Sequence, residues 1–178
     1  MGTMMENVLY SGRGGHEKED AKKRVCFCIP TIKKPYQVML DSLAASIPLI
    51  EEAGWEHAAV YEIGNPYISA ARSTMLRKAL DWKADVIVFI DHDLSWSPED
   101  LLLLIESKPN VVGGTYRFKK DPEEYMGHVQ IGEDSRPVLK DGLIWMKDVP
   151  AGFFFFLAVG VNKFYVAYPE WKYGDHFS

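Results

Sequence analysis

The run Val86-Ile-Val-Phe-Ile90 constrains this chain more than any other feature. A strand with one wet face alternates apolar and polar residues. A run that is apolar at every position must be covered on both faces, as in a parallel sheet flanked by helices. Arg24–Thr31 (RVCFCIPT) and His57–Ile63 (HAAVYEI) read as strands of the same sheet. The third strand is Asp85–Ile90, and the fourth is Asn110–Tyr116.

Segments of helical period separate these runs. Tyr36, Met39, Leu40, Leu43, Ile47 and Ile50 predict a helix from Pro35 to Ala53, closed by Gly54, with Pro48 kinking or breaking it. Asn65-Pro66 signals a second helix start, and Ile68, Ala71, Met75, Ala79 and Trp82 share one face. Ser97 caps a third helix, with Pro98 at its first position and Asp100 at its third. The order β-α-β-α-β-α-β over residues 24–116 predicts an α/β fold: a Rossmann-like, mostly parallel sheet sandwiched by helices. Beyond it, His128–Ile131 and Leu143–Met146 flank a polar turn and predict a C-terminal hairpin. Val149–Val161 reads as a buried run, and Asn162–Tyr168 as a short helix.

The chain of 178 residues divides into a flexible leader, 1–23, and a single domain, 24–178. The leader carries Gly12, Gly14, Gly15 and the mixed-charge run Glu17–Asp20. A net charge of −5 argues against bulk nucleic-acid binding, which needs a basic surface. Cys26 and Cys28 lie two apart on one strand, face the same side, and read as buried thiols rather than a bridge. A reducing, cytoplasmic compartment follows as the expectation. The N-terminus lacks a basic stretch followed by an apolar one, so no secretory signal is expected. The longest apolar run, Ala151–Val161, is too short to span a bilayer.

The chemistry concentrates at Asp91-His92-Asp93, directly after the apolar run. In open α/β sheets ligands collect outside the carboxyl ends of the strands. Two carboxylates one residue apart suit Mg²⁺ or Mn²⁺, which prefer oxygen ligands and bridge phosphates. The expectation is a metal-dependent site for a nucleoside diphosphate, with the His92 ring facing away.

Four segments carry a family resemblance: the strand ending Ile29-Pro30-Thr31; Arg72 within Ser69–Thr74; Val86–Leu94 with its Asp-His-Asp and the Ser-Pro-Glu-Asp helix start; and Pro150-Ala151-Gly152-Phe153. In this order, over roughly residues 24–170, the chain resembles the nucleotide-sugar-dependent glycosyltransferases of the GT-A fold, especially family 2-like members. The third segment looks like the family's DxD strand, and the fourth like its acceptor-side segment. The resemblance implies a UDP- or GDP-linked sugar donor and a hydroxyl acceptor. It implies that Asp91 lies near the ribose and the metal's water shell, and that Asp93 coordinates the Mn²⁺ or Mg²⁺. Thr31, Glu62 and Arg72 would lie along the nucleotide. The metal stabilises charge developing on the leaving diphosphate.

The chain departs from the family pattern at Ser73, where members commonly carry Asn, and in ending at Ser178, soon after the acceptor segment. An inverting enzyme needs a base for the acceptor hydroxyl. Asp175 is the late carboxylate that could serve, and His176 the late imidazole that could complete a metal site. A simple C-terminal tail is the competing reading of both. Two rivals stand beside glycosyl transfer. One is a shortened domain that binds nucleotide sugar or a protein partner without turnover. The other is a nucleotidyltransferase, for which Ile32-Lys33-Lys34 supplies charge but no glycine loop.

Other residues have bland readings next to sharp ones. Glu62 is a strand end or a nucleotide contact, and Arg72 a surface ion pair or a nucleotide contact. Arg117–Lys120 is a solvated loop or an anion-steering patch, and His128 is structural. Trp96 and Trp145 stack on a sugar or pack at the rim. Phe153–Phe156 read mostly as core, with some as an apolar acceptor wall in the sharper reading. They cannot all face one side of a strand, so one or two exposed rings would mark a partner surface and make a homo-oligomer an option.

Overall fold

The computed structural model describes residues 22–117 and 122–167. Residues 1–21 of the expected leader, Phe118–Lys120 of the basic run, and both Asp175 and His176 lie outside the described residues.

Strand β1 (Arg24–Thr31) is the centre of the architecture. It pairs in parallel with β2 (Glu56–Ile63) on one side and β3 (Val86–Ile90) on the other. The helices α1 (Gln37–Glu52) and α2 (Ile68–Asp81) make the crossovers. Side-chain parity divides the core into two faces. Val25, Phe27, Ile29, Val86, Val88 and Ile90 point to one side. There they meet Met39, Leu43 and Ile50 of α1 and Leu101, Leu104 and Ile105 of α3 (Pro98–Ile105). Cys26, Cys28, Ile87 and Phe89 point to the other, against Met75 and Ala79 of α2. Both cysteines are buried and free, on the same face, as their spacing requires. Burial and the neighbouring Cys26 push the Cys28 thiol well up from its ordinary value.

The sheet then departs from the expected succession. Strand β4 (Val111–Gly113) does not pair with β3. Strand β9 (Phe153–Leu157) inserts between them, antiparallel to both, giving the order β2-β1-β3-β9-β4. Four strands therefore run one way and β9 the other. The fourth strand is shorter than Asn110–Tyr116 because it sits at the sheet edge. After Gly113 the ladder ends with the Gly114 N–H donating to the Phe153 carbonyl at 2.9 Å.

The insertion also places the phenylalanines in the core layers. Phe153 and Phe155 face the α1–α3 layer, with Phe155 fully buried. Phe154 and Phe156 face the α2 layer and stack around Phe89, at ring separations of 5.4 and 5.8 Å. A sheet covered on both faces takes up the run, with Phe155 fully buried and Phe153, Phe154 and Phe156 partly buried.

Several local expectations shift as well. Pro48 does not break α1, which is continuous from Gln37 to Glu52. Its ring is exposed, and Ile50 two residues later stays buried. The second helix starts at Ile68 with Tyr67 as N-cap. Asn65 instead accepts the Tyr67 N–H on Oδ1 at 3.0 Å, an Asx turn that precedes the helix. Ser97 caps α3 as expected, its Oγ accepting from the Asp100 N–H at 3.3 Å. The terminal helix α4 (Ala158–Ala167) starts four residues earlier than Asn162, because the β9 ladder stops at Leu157.

The C-terminal hairpin is a small meander of short strands. Strands β5 (His128–Val129) and β8 (Met146–Asp148) pair outside, and β6 (Leu139–Lys140) and β7 (Leu143–Ile144) pair within, around Asp141-Gly142. Both turn residues have positive φ, 53° and 78°, the conformation a two-residue hairpin demands. His128 pairs with Asp148 across this meander, Nδ1 to Oδ2 at 2.7 Å. No helix among the described residues is long and apolar enough to cross a membrane.

Candidate functional site

The end of β3, the Ala151-Gly152 turn entering β9, and the chain leaving β4 converge at one corner of the sheet. Asp91 is the first residue past β3, and its N–H donates to the Gly152 carbonyl at 2.7 Å. Strand parity turns its side chain toward α2, where Arg72 sits one turn into the helix. The Arg72 Nη2 donates to Asp91 Oδ1 at 3.3 Å and to the Ala151 carbonyl at 3.0 Å. Its guanidinium carbon lies 5.9 Å from the centroid of the Phe89 ring, and its Nε is buried without a hydrogen-bond partner. From the other side Tyr116 reaches in, its hydroxyl accepting the Gly152 N–H at 3.0 Å.

Gly152 is the residue on which these groups close. A Cβ there would lie closer than 3.0 Å to the Tyr116 hydroxyl, to its ring carbon Cζ and to Asp91 Oδ2. No side chain fits in that space, so the backbone of the turn serves as the floor of the site.

The electrostatics follow from partial burial. Burial raises the Asp91 carboxyl above its ordinary value. The Arg72 guanidinium opposes that shift, and the charge of the Asp93 carboxylate adds to it. Burial also raises the Tyr116 phenol, with the Asp91 charge contributing. Both groups thus hold their protons more firmly than in water.

The remaining residues singled out in the sequence fall into distinct places. Thr31 is buried at the end of β1, and its hydroxyl donates to the Lys33 carbonyl. Lys33 and Lys34 follow, exposed, in the loop that leads to α1. The His92 carbonyl accepts the Tyr36 N–H at 3.0 Å, and its ring lies 5.6 Å from that of Tyr36. Glu62 is on the α2 face, with its carboxylate 3.9 Å from Lys78 Nζ. Trp96 stacks on Phe153 at 5.4 Å, and its indole N–H donates to Ser46 Oγ at 3.1 Å. Trp145 is half-exposed with Lys140 over its ring.

Arg72, Asp91 and the Pro150–Phe153 segment are therefore brought together, although they are far apart in sequence. Tyr116 joins them and was not anticipated. Its signal in the sequence was its place just after Gly113-Gly114, at the exit of another strand.

Mg²⁺ and Mn²⁺ are held by one or two carboxylates plus water and phosphate oxygens, rather than by an all-protein cage. Asp91 and Asp93 match that donor set. No group of three His, Cys, Asp or Glu residues that could hold a metal gathers among the described residues. Asp91 is engaged by Arg72.

Neither a comparison with protein-family models nor a search of curated proteins finds a match for the chain.

Proposed function

We propose that this corner binds a nucleoside-diphosphate-linked sugar together with Mn²⁺ or Mg²⁺, and that the chain is a GT-A-like glycosyltransferase acting on a hydroxyl acceptor. The observation that carries the reading is the placement of Asp91 and Asp93 past the carboxyl end of a parallel strand, with the Arg72 guanidinium beside them. Anionic ligands of α/β sheets collect at such a position. Lys33 and Lys34, exposed at the exit of β1, add positive charge on the approach.

In this reading Asp93 holds the cation and Asp91 keeps Arg72 in place near the diphosphate. The cation would supply charge stabilisation for the departing nucleoside diphosphate. Arg72 offers planar donors that match phosphate oxygens. The Ala151-Gly152 turn shields one side of the site. An acceptor hydroxyl needs a base during transfer, and Asp175 is the residue proposed for it. His176 is proposed as an additional metal contact on the same segment.

Titration calorimetry of UDP and of GDP, each with Mn²⁺ and with EDTA, tests the reading on the natural chain and on Asp93→Ala. The expected result is binding of one nucleotide that requires the metal and falls at least tenfold in the variant. Absence of binding of both nucleotides to folded protein would remove the donor site.

A second reading has its own observation. The Arg72–Asp91 pair forms within the chain, and Arg72 ties the Ala151 turn to the end of β3, as a structural latch would. In that case Asp93→Ala leaves every binding property unchanged.

A further inference from the structure

A cavity of about 330 Å³ lies between α3 and the exit of β4, with Leu143 of the meander at its far side. Its walls are Leu94, Trp96, Leu104, Val112, Phe153 and Tyr116. Leu94 directly follows Asp93, and the Tyr116 hydroxyl is the same one that meets Gly152 beside Asp91. The cavity therefore shares Tyr116 with the Asp91 corner and lies on the opposite side of the sheet from Arg72.

Its chemistry is mostly carbon. The one polar atom of Trp96 is spent on Ser46, so the ring presents only its hydrocarbon surface. Phe153 is stacked against that ring. Gly113 and Gly114 line the cavity without side chains of their own. Ser95, Asp100, Ser107, Thr115 and the Tyr116 hydroxyl put the polar groups on its lining. A space of this size is at the small end of ligand sites and holds about one ring system.

We propose that this cavity binds the acceptor, and that the acceptor is a hydroxyl compound bearing an aromatic or cyclic aliphatic group. The apolar group fills the space between Trp96, Leu104 and Val112. The hydroxyl points to the Tyr116 and Asp91 end. An acceptor without such a group would leave the apolar surfaces of Trp96, Leu104 and Val112 uncovered and forgo that burial. The inference rests on the glycosyl-transfer reading above for the word acceptor, but the cavity's preference is measurable without it.

The test compares phenyl β-D-glucopyranoside with methyl β-D-glucopyranoside by calorimetry, with and without UDP and Mn²⁺. The phenyl compound is expected to bind about tenfold more tightly, the factor for burying most of one small apolar group. Ser107→Trp, which projects a ring into the cavity from the end of α3, abolishes that preference. Leu103→Asp, at a rim position 68% exposed and so harmless to folding, lowers it severalfold. Equal binding of the two glycosides, no binding of the phenyl compound, or a preference untouched by both variants would overturn the inference. Phenyl preference without any UDP or GDP binding keeps the cavity and removes the donor site. Nucleotide binding without phenyl preference does the reverse.

Discussion

Gly152→Ala is the substitution on which the geometry of the site makes its sharpest demand. One methyl group would enter a space already bounded by the Tyr116 hydroxyl, its Cζ and Asp91 Oδ2, each closer than 3.0 Å to the new atom. None of these is the loose end of a flexible chain. Tyr116 is held by the Gly152 N–H, and Asp91 by Arg72. Relief requires the Tyr116 ring to withdraw. That breaks a half-buried hydrogen bond worth about 1 kcal/mol net. Overpacking of this kind adds about 1–3 kcal/mol. The expected loss is about 2–4 kcal/mol in urea unfolding. For a domain of this size that is a fall of roughly 4–16 °C in Tm, at about 2–4 °C per kcal/mol. Tyr116→Phe removes the hydroxyl, one of the close neighbours, so the double variant Gly152→Ala/Tyr116→Phe is expected to lose less than the two single losses combined. The coupling is about 1 kcal/mol. A Gly152→Ala protein within 0.5 kcal/mol of the natural chain, or strictly additive losses, would refute the account of this corner as a closed contact.

Ser46→Ala strands the Trp96 indole N–H inside the α1–α3 layer and should cost about 1–3 kcal/mol by chemical denaturation. Pro48→Ala restores a backbone donor within a continuous helix at an exposed position. It should stabilise by about 1–2 kcal/mol once the greater freedom of the unfolded chain is subtracted. Asp91 holds its proton to higher pH when folded than when unfolded. Its ionisation therefore lowers stability as pH rises from the ordinary value of 3.8 through the raised one. Asp91→Asn cannot ionise, so its stability relative to the natural chain should climb across that interval. Parallel pH profiles of the two proteins would contradict the burial of Asp91.

The lesson for reading such a chain is uneven along its length. Over residues 24–105 the strands and helices fall within a few residues of where periodicity puts them. The forces involved are local: apolar residues two apart share a strand face, and residues three or four apart share a helix face. Cys26 and Cys28 on one face and Ser97 at the α3 cap were legible for that reason. Asn65 does not cap its helix and Pro48 does not break one, because a strong local signal has more than one outcome. An Asx turn uses the same side-chain oxygen as a helix cap, and an exposed proline can stay within a helix whose buried face holds it in place.

Local pattern along the chain sufficed for the alternation of elements, the two-sided burial of the sheet, and the delivery of Asp91 and Asp93 to the end of β3. Tertiary structure alone decided that Phe153–Leu157 would enter the sheet between β3 and β4 instead of at an edge. A period-two pattern specifies which faces of a strand are apolar, not which neighbours it will have. Four consecutive phenylalanines need cover on both faces, and the space between β3 and β4 supplies it from α1 and α3 on one side and α2 on the other. That choice brings Ala151 and Gly152 against Asp91, calls Tyr116 and Arg72 to the same turn, and so assembles a site from residues up to 80 positions apart (Arg72 to Gly152).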